Sequence, residues 1–474
     1  MSFASLIFLF FAPVVFILYC MLPSRSRWIL LLGASYTFYA YWDWRYLPLL
    51  FGSTFIDYFC AHRMAKYESK QHKRPWLWLS LVVNLGVLFG FKYWNFVGSN
   101  FNALLGVNIE LHNLLLPLGV SFYTLQTLSY SFDIYLGKVK PENHFGYFCL
   151  FVCFFPQLVA GPIERSRSLL PQLKSLRLAT IYEFRYGLML IVWGFFLKLV
   201  VADNMTRFIN SIYFNETVFA FWLYWLAGGL VIIKIYCDFM AYSEIARGLA
   251  MLFGVRLTIN FQRPLLATSL RNYWKRWHIS LTRWIVDYIH VPLVNKFSSD
   301  FTRFFVSIFS MCIVGFWHGA SWNFFIFGLF NGVVLVLWRP IARFFQRKLD
   351  LSLSMRQWTG WAATVLVSSI NGSMFYIIDT TTLHTVLSHM FDFNSSFTFV
   401  WPSGLHGKLQ LLKAFIGFIL LACYSLIAEY SGVELIDLLA RRNSIYRWSS
   451  ALVLLLLILL FGNFISEEFV YFKF

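Results

Sequence analysis

The sequence predicts an all-α protein that crosses a membrane many times. Three observations carry this. Of 474 residues, 59% are hydrophobic and only 13% charged, against about 25% charged in soluble globular proteins. The mean hydropathy of the chain is +0.63. Apolar stretches of roughly 20 residues, the length a helix needs to cross hydrocarbon, recur along it. No repeat or low-complexity linker divides the chain, so residues 1–474 are expected to form one integral membrane domain.

Hydropathy assigns about twelve spans: 3–22, 28–41, 46–61, 76–97, 116–136, 186–203, 219–238, 302–317, 321–338, 357–379, 410–429 and 447–465. The short ones must tilt or be partly buried in protein. With the N-terminus outside, 31 of the 39 Lys and Arg fall on the inner side. Four (Arg45, Arg207, Lys408, Lys473) fall outside, and four (Lys92, Lys198, Lys234, Lys413) lie within spans. This is the positive-inside pattern, and it predicts both termini on the extracytoplasmic side. The net charge of +17 therefore reads first as topology. Attraction for anionic lipid or a phosphate-bearing cytosolic ligand comes second, and nucleic acid is not an expected partner. The first apolar segment lacks a basic n-region and an A-x-A-like site, so it is expected to be a retained helix. The seven cysteines show no metal-site spacing, and Cys149 and Cys153 read as small packing residues on one helical face.

Three regions interrupt the rhythm of spans. Residues 145–160 are apolar, yet Lys138 and Lys140 precede them and Arg165 and Arg167 follow. A re-entrant segment turning near Pro156, Gly161 and Pro162 fits these flanks. In the cytoplasmic stretch 239–301, Arg271, Lys275, His278 and Thr282 fall at i, i+4, i+7 and i+11, with Trp274, Trp277, Leu281, Trp284 and Tyr288 opposite. That spacing predicts an amphipathic helix. It would anchor at the membrane interface, offer cations and His278 to a cytosolic entrance, or do both. In 380–409, Asp379, His384, His389 and Asp392 lack the paired spacing of a zinc site, so a solvated outside loop and no metal are expected. Lys198, Asp203, Lys234 and Asp238 are expected to pair or to snorkel from helix ends.

The run Phe316-Trp317-His318-Gly319-Ala320-Ser321-Trp322-Asn323 lies inside the long apolar segment 304–338. An ionisable imidazole at such a place is a functional-site candidate. A histidine that only hydrogen-bonds a neighbouring helix is the alternative, and these residues alone leave both open.

Asn260-Phe261-Gln262-Arg263-Pro264, then Arg271-Asn272-Tyr273-Trp274-Lys275-Arg276-Trp277-His278-Ile279-Ser280-Leu281-Thr282, then Trp317-His318-Gly319 resemble the membrane-bound O-acyltransferase family. The branch is similar to bacterial alginate and peptidoglycan O-acetyltransferases and, more distantly, to the D-alanyl transferases of teichoic acid. Pro117 to Tyr123, Phe155 to Ile163, and Asp238-Phe239 through Tyr242-Ser243 to Gly248 support it, and the resemblance runs from about residue 30 to the C-terminus. Two departures stand out. Trp284-Ile285-Val286-Asp287-Tyr288 replaces a frequent Trp-Phe-Arg-Asp-Tyr, and Val294-Asn295 stands where Gly-Gly commonly follows.

The resemblance implies a funnel of helices open to the cytoplasm, in the bacterial inner membrane, with acetyl-CoA as donor substrate and no bound cofactor. The family's invariant histidine falls on His318 and its second polar position on His278. Acyl transfer to a hydroxyl needs a base and an oxyanion donor; His318 is the expected base. His278, then Trp317 or Asn323, are the expected donors, and Arg271, Lys275 and Arg276 the expected contacts for coenzyme A phosphates. The closing Phe469-Val470-Tyr471-Phe472-Lys473-Phe474 resembles the aromatic tail of this branch. Tyr471 would anchor there at the interface or receive the acyl group and pass it on. The expected activity is transfer of acetyl from cytosolic acetyl-CoA across the membrane to an extracytoplasmic polysaccharide, peptidoglycan or alginate-like. A periplasmic or membrane-anchored O-acetyltransferase would be the partner. The competing expectation is a secondary transporter or flippase of an envelope precursor, but the chain lacks the internal symmetry such proteins often show.

Overall fold

The computed structural model describes residues 1, 3–112, 114–297, 299–349, 352–393, 404–464 and 469. Among them every regular element is helical, and each of the twelve apolar segments falls on a helix. Seven helices are long and apolar enough to cross a membrane by themselves: Lys70–Leu105, Ile181–Tyr213, Phe221–Leu252, Asp300–His318, Trp322–Phe345, Gly407–Ser431 and Ser444–Phe461. Leu6–Met21 is apolar but has only 16 residues. Phe221–Leu252 continues past Asp238 into what the sequence suggested was loop. Its polar residues there are buried, and Glu244 and Arg247 neutralise each other at 2.6 Å.

The chain forms two compact units, residues 1–191 with 242–259, and residues 192–241 with 260–474. In the first, the buried Asp57 carboxylate accepts from Ser80 Oγ at 2.6 Å and from Asn84 Nδ2 at 2.8 Å. Ser80 also meets Ser131 at 2.9 Å. These bonds join the helices Leu47–Ala65, Lys70–Leu88 and Val120–Tyr135. The helix Phe145–Cys153 has nine residues, about 14 Å of length, which is too short to cross hydrocarbon. Its backbone ends inside protein. Phe151 O accepts from Gln126 Nε2 at 2.6 Å and Gln157 Nε2 at 3.3 Å, and Phe155 N–H donates to Ser35 Oγ at 3.0 Å. Irregular backbone persists at depth only with such internal partners. Gly119 makes the turn into the next helix at φ 73, and a Cβ there would lie 2.5 Å from Leu158 O.

In the second unit the charged residues of the spans close on each other. Lys198 Nζ lies 2.9 Å from Asp203 and 2.7 Å from Asp238, all three buried, and Lys234 donates to Thr206 Oγ1. The end of Ser444–Phe461 is tied to the π-helical turn Leu197–Ala202. Asn463 N–H donates to Leu199 O at 2.9 Å, and Asn204 Nδ2 donates to Phe461 O at 2.9 Å. Beyond it, the buried Phe469 ring lies 4.6 Å from the Lys198 ammonium. The expected outside loop begins instead as a helix, Thr380–Met390, because Asp379 caps it by accepting Thr382 N–H at 2.7 Å. His389 stacks on Tyr224 at 5.2 Å.

The hairpin of Asp300–His318 and Trp322–Leu349 is packed backbone to backbone. A Cβ on Gly315 would lie 2.1 Å from Phe324 O, and one on Gly328 would lie 2.5 Å from Met311 O. Small residues let helices approach this closely where lipid supplies no hydrophobic drive. The hairpin thereby fixes His318 as the last residue of its helix. Gly315→Val should destabilise the protein by about 1–3 kcal/mol through overpacking, seen as a lower melting temperature in detergent. Gly33→Val, where a Cβ meets nothing within 4 Å, should leave it unchanged. Equal melting temperatures for the two variants would contradict the close packing.

Candidate active site

The amphipathic helix expected over 271–288 is broken at the histidine it carries. Leu270–Arg276 ends, Trp277 is extended, and His278 adopts φ 41 and ψ 56 before Ile279–Ile285 begins. A non-glycine residue in this left-handed region is uncommon and strained, and such strain collects at functional sites. Asn260 imposes it. The Asn260 carbonyl accepts Ile279 N–H at 2.9 Å. Its side-chain Oδ1 accepts Ser280 N–H at 3.2 Å and Ser280 Oγ–H at 2.9 Å, and lies 3.1 Å from His278 Nδ1. Gln262 N–H, donating to Arg276 O at 2.9 Å, holds the other side of the break. Arg271, Lys275, His278 and Thr282 therefore do not share a face. His278 turns inward at 1% exposure while Arg271 and Lys275 stay exposed.

These contacts also fix which nitrogen of His278 carries its proton. Ser280 N–H can only donate, so the Asn260 atom facing it is the carbonyl oxygen. The same oxygen faces His278 Nδ1, which must therefore be the N–H. The neutral ring then holds its lone pair on Nε2. His278 lies outside the spanning segments, and burial pushes its imidazole down to about 3, so it is neutral at physiological pH. In this tautomer Nε2 accepts a hydrogen bond or a proton. The donor role expected for His278 is corrected by this geometry.

The structure brings the two histidines together, with ring centroids 6.5 Å apart. Trp317 packs against both, 5.6 Å from His278 and 5.0 Å from His318. Phe375 meets the His318 ring edge-on at 4.9 Å. His318 opens onto a cavity of about 320 Å³, its mouth included, walled by Trp274, Trp277, Phe327, Phe375 and Asn371 among others. Asn371 is engaged in a reciprocal pair with Asn331, at 2.8 and 3.0 Å.

Two further expected roles do not fit the geometry. Asn323 donates from Nδ2 to Ile377 O and Ile378 O, both at 2.8 Å. Both amide hydrogens are occupied in closing the end of Leu353–Tyr376, and none is left for an oxyanion. Arg276 grips Glu429 through both terminal nitrogens, at 3.0 and 2.8 Å, and Asn272 through Nε at 2.8 Å. It is a structural clamp and not a free phosphate ligand. Tyr471 lies outside the described residues. Sequence reasoning missed Asn260 and Trp274 as site residues. The first was visible only as part of a motif, the second only as one of an aromatic stripe. Trp274 is 7% exposed, and its indole Nε1 is buried with no hydrogen-bond partner among the described residues. A buried donor left so costs about 1–3 kcal/mol.

Known proteins share this arrangement of sequence. The sequence model of the membrane-bound O-acyltransferase family matches residues 144–377, which hold Asn260, Trp274, His278 and His318. A peptidoglycan O-acetyltransferase of Helicobacter pylori is 34% identical over 365 residues, 70% of this chain and 69% of that one. The protein named probable alginate O-acetylase AlgI in Azotobacter vinelandii is 33% identical over 438 residues, 91% and 85% of the two chains. A teichoic acid D-alanyltransferase of Bacillus subtilis is 25% identical over 290 residues, 58% and 71%.

The Asn260 contact yields a test with a defined sign. Asn260→Asp keeps an acceptor for Ser280 but sets a carboxylate against Nδ1, which favours the imidazolium. The His278 pKa should rise by about 1–3 pH units. A higher pKa means that the neutral form is lost sooner as pH falls. The acid limb of the kcat/KM profile should therefore move to higher pH. An unchanged limb in a variant that folds would show that His278 does not need its neutral form.

Proposed function

The chain belongs to the membrane-bound O-acyltransferase family, and from that premise we propose that it carries acetyl from cytosolic acetyl-CoA to a hydroxyl of an extracytoplasmic polysaccharide. It is an O-acyltransferase and a multi-pass membrane protein. The observation that carries the reading is His318 on an aromatic-walled cavity, with a second buried imidazole, His278, 6.5 Å from its ring. The substrate class follows from relatives named for peptidoglycan and alginate, both polymers rich in sugar hydroxyls. The aromatic walls close around His318 favour a short acyl group. The inward bias of Lys and Arg supports a coenzyme bound from the cytoplasmic side, where the exposed Arg271 and Lys275 would meet its phosphates.

In this scheme His318 takes the proton of the attacking hydroxyl as its oxygen bonds to the thioester carbon. The tetrahedral adduct collapses, the carbon–sulfur bond breaks, and the imidazolium returns the proton to the thiolate. The net change is acetyl-S-CoA plus alcohol to ester plus free thiol. The neutral His278 sets no positive charge beside His318, where one would oppose the imidazolium that the base becomes. The alcohol of the first transfer is Tyr471 in our reading. A phenol titrates near 10 and makes a reactive ester, suited to handing acetyl on to a periplasmic or membrane-anchored transferase. Phe469, two residues before Tyr471 in sequence, lies against Lys198 in the unit that holds His318. The transporter reading is less well supported, since the chain lacks internal symmetry and the buried Lys198 is engaged by Asp203 and Asp238.

The test is transfer from labelled acetyl-CoA by the purified full chain in nanodiscs, with the label mapped by peptide mass. Wild type should release free thiol and carry label on Tyr471. His318→Ala should slow thiol release by about 10²–10⁴-fold and leave Tyr471 bare. Thiol release that needs His318 without label on Tyr471 would remove the relay and keep direct transfer. No His318-dependent release from folded protein would overturn the proposed base.

A further inference from the structure

The reaction develops negative charge on the carbonyl oxygen of the thioester, and the site needs a donor there. Geometry removes two of the residues that the sequence suggested. His278 presents a lone pair on Nε2, and Asn323 has both amide hydrogens on backbone carbonyls. The wall of the His318 cavity supplies another. Trp274 lines this cavity with His318, is 7% exposed, and keeps its Nε1–H buried without a hydrogen-bond partner among the described residues. Trp274 is held in place rather than free to swing. It follows Tyr273, whose ring it meets edge-on at 5.8 Å, and it packs on Phe327 at 6.5 Å. Filling this wall needs only an aromatic ring, which phenylalanine would supply without a stranded N–H. Apolar walls with a few fixed polar groups are how small-ligand pockets orient what they bind.

We propose that the Trp274 indole N–H donates to the acyl carbonyl oxygen and is the oxyanion donor of this site. This rests on the acyltransferase reading of the same cavity. As the acceptor oxygen bonds to the carbonyl carbon, its proton passes to His318. The carbonyl π electrons move onto oxygen, which Trp274 Nε1–H stabilises. The carbonyl then re-forms, the carbon–sulfur bond breaks, and the proton goes to the thiolate. An indole N–H is a donor with no acceptor capacity, so it suits an oxyanion and cannot compete for the hydroxyl proton.

The experiment replaces Trp274 with 3-benzothienylalanine, which keeps the bicyclic shape and puts sulfur in place of N–H, with Trp274→Phe as a second variant. Thiol release from acetyl-CoA gives kcat and KM, and affinity for free coenzyme A, which has no acyl carbonyl, is measured alongside. The isostere should lose about 10²–10³ in kcat while its affinity for free coenzyme A stays that of wild type. An isostere with wild-type kcat would overturn the proposal, as would a parallel loss of kcat and coenzyme A affinity, which marks a packing role. Failure of the underlying reading looks different, because wild type itself would then show no His318-dependent thiol release.

Discussion

Lipid offers no hydrogen bonds, so polar groups that this chain carries into its interior must find partners within it. Most of the second unit can be read as an answer to that constraint. Lys198 sits between two aspartates, Asn331 and Asn371 exchange amide bonds, and Asn323 takes two backbone carbonyls at a helix end. In the first unit, Gln126 and Gln157 complete the backbone of the short buried helix. Beside these pairs, the cavity next to His318 is walled by Trp274, whose buried Nε1 meets no hydrogen-bond partner among the described residues.

One amide oxygen organises the rest of the site. Asn260 Oδ1 gathers Ser280 and His278, breaks what would be a continuous helix, and turns an imidazole from the rim into the interior. Burial keeps that imidazole neutral. The second histidine comes from a different device, a hairpin whose glycines bring two backbones into contact and leave His318 at its end. A strained loop and a rigid hairpin thus meet at two rings 6.5 Å apart. Both positions, and the protonation of His278, are set before any substrate arrives, which is the condition for electrostatic preorganisation.

The helices were legible because apolar runs of span length have few alternatives. His318 stood out because an imidazole in an apolar segment is expensive without a purpose, and His278 only through the motif that carries it. The break at Trp277–His278 was not, because the 3.6-residue pattern of 271–288 is continuous and the residue that interrupts it lies 18 positions upstream. Asn323 and Arg276 looked available from their positions near the histidines. Their partners, Ile377, Ile378 and Glu429, are distant in sequence, and only tertiary structure reveals that they are engaged. Trp274 hid for the opposite reason. An aromatic stripe reads as a membrane anchor, and a single buried N–H within it has no signature in sequence. The cap that turns 380–390 into helix was equally local and equally missed, since Asp379 was weighed as a metal ligand and not as an N-cap.

In this mechanism the cavity beside His318 holds the reacting thioester. The most direct test is an experimental structure of the full chain with an acetyl-CoA analogue whose thioester is replaced by a ketone. The ketone should lie in the cavity, with its oxygen within hydrogen-bond distance of Trp274 Nε1 and its carbon facing His318. Binding of the analogue with its ketone outside that cavity, at full occupancy, would contradict it.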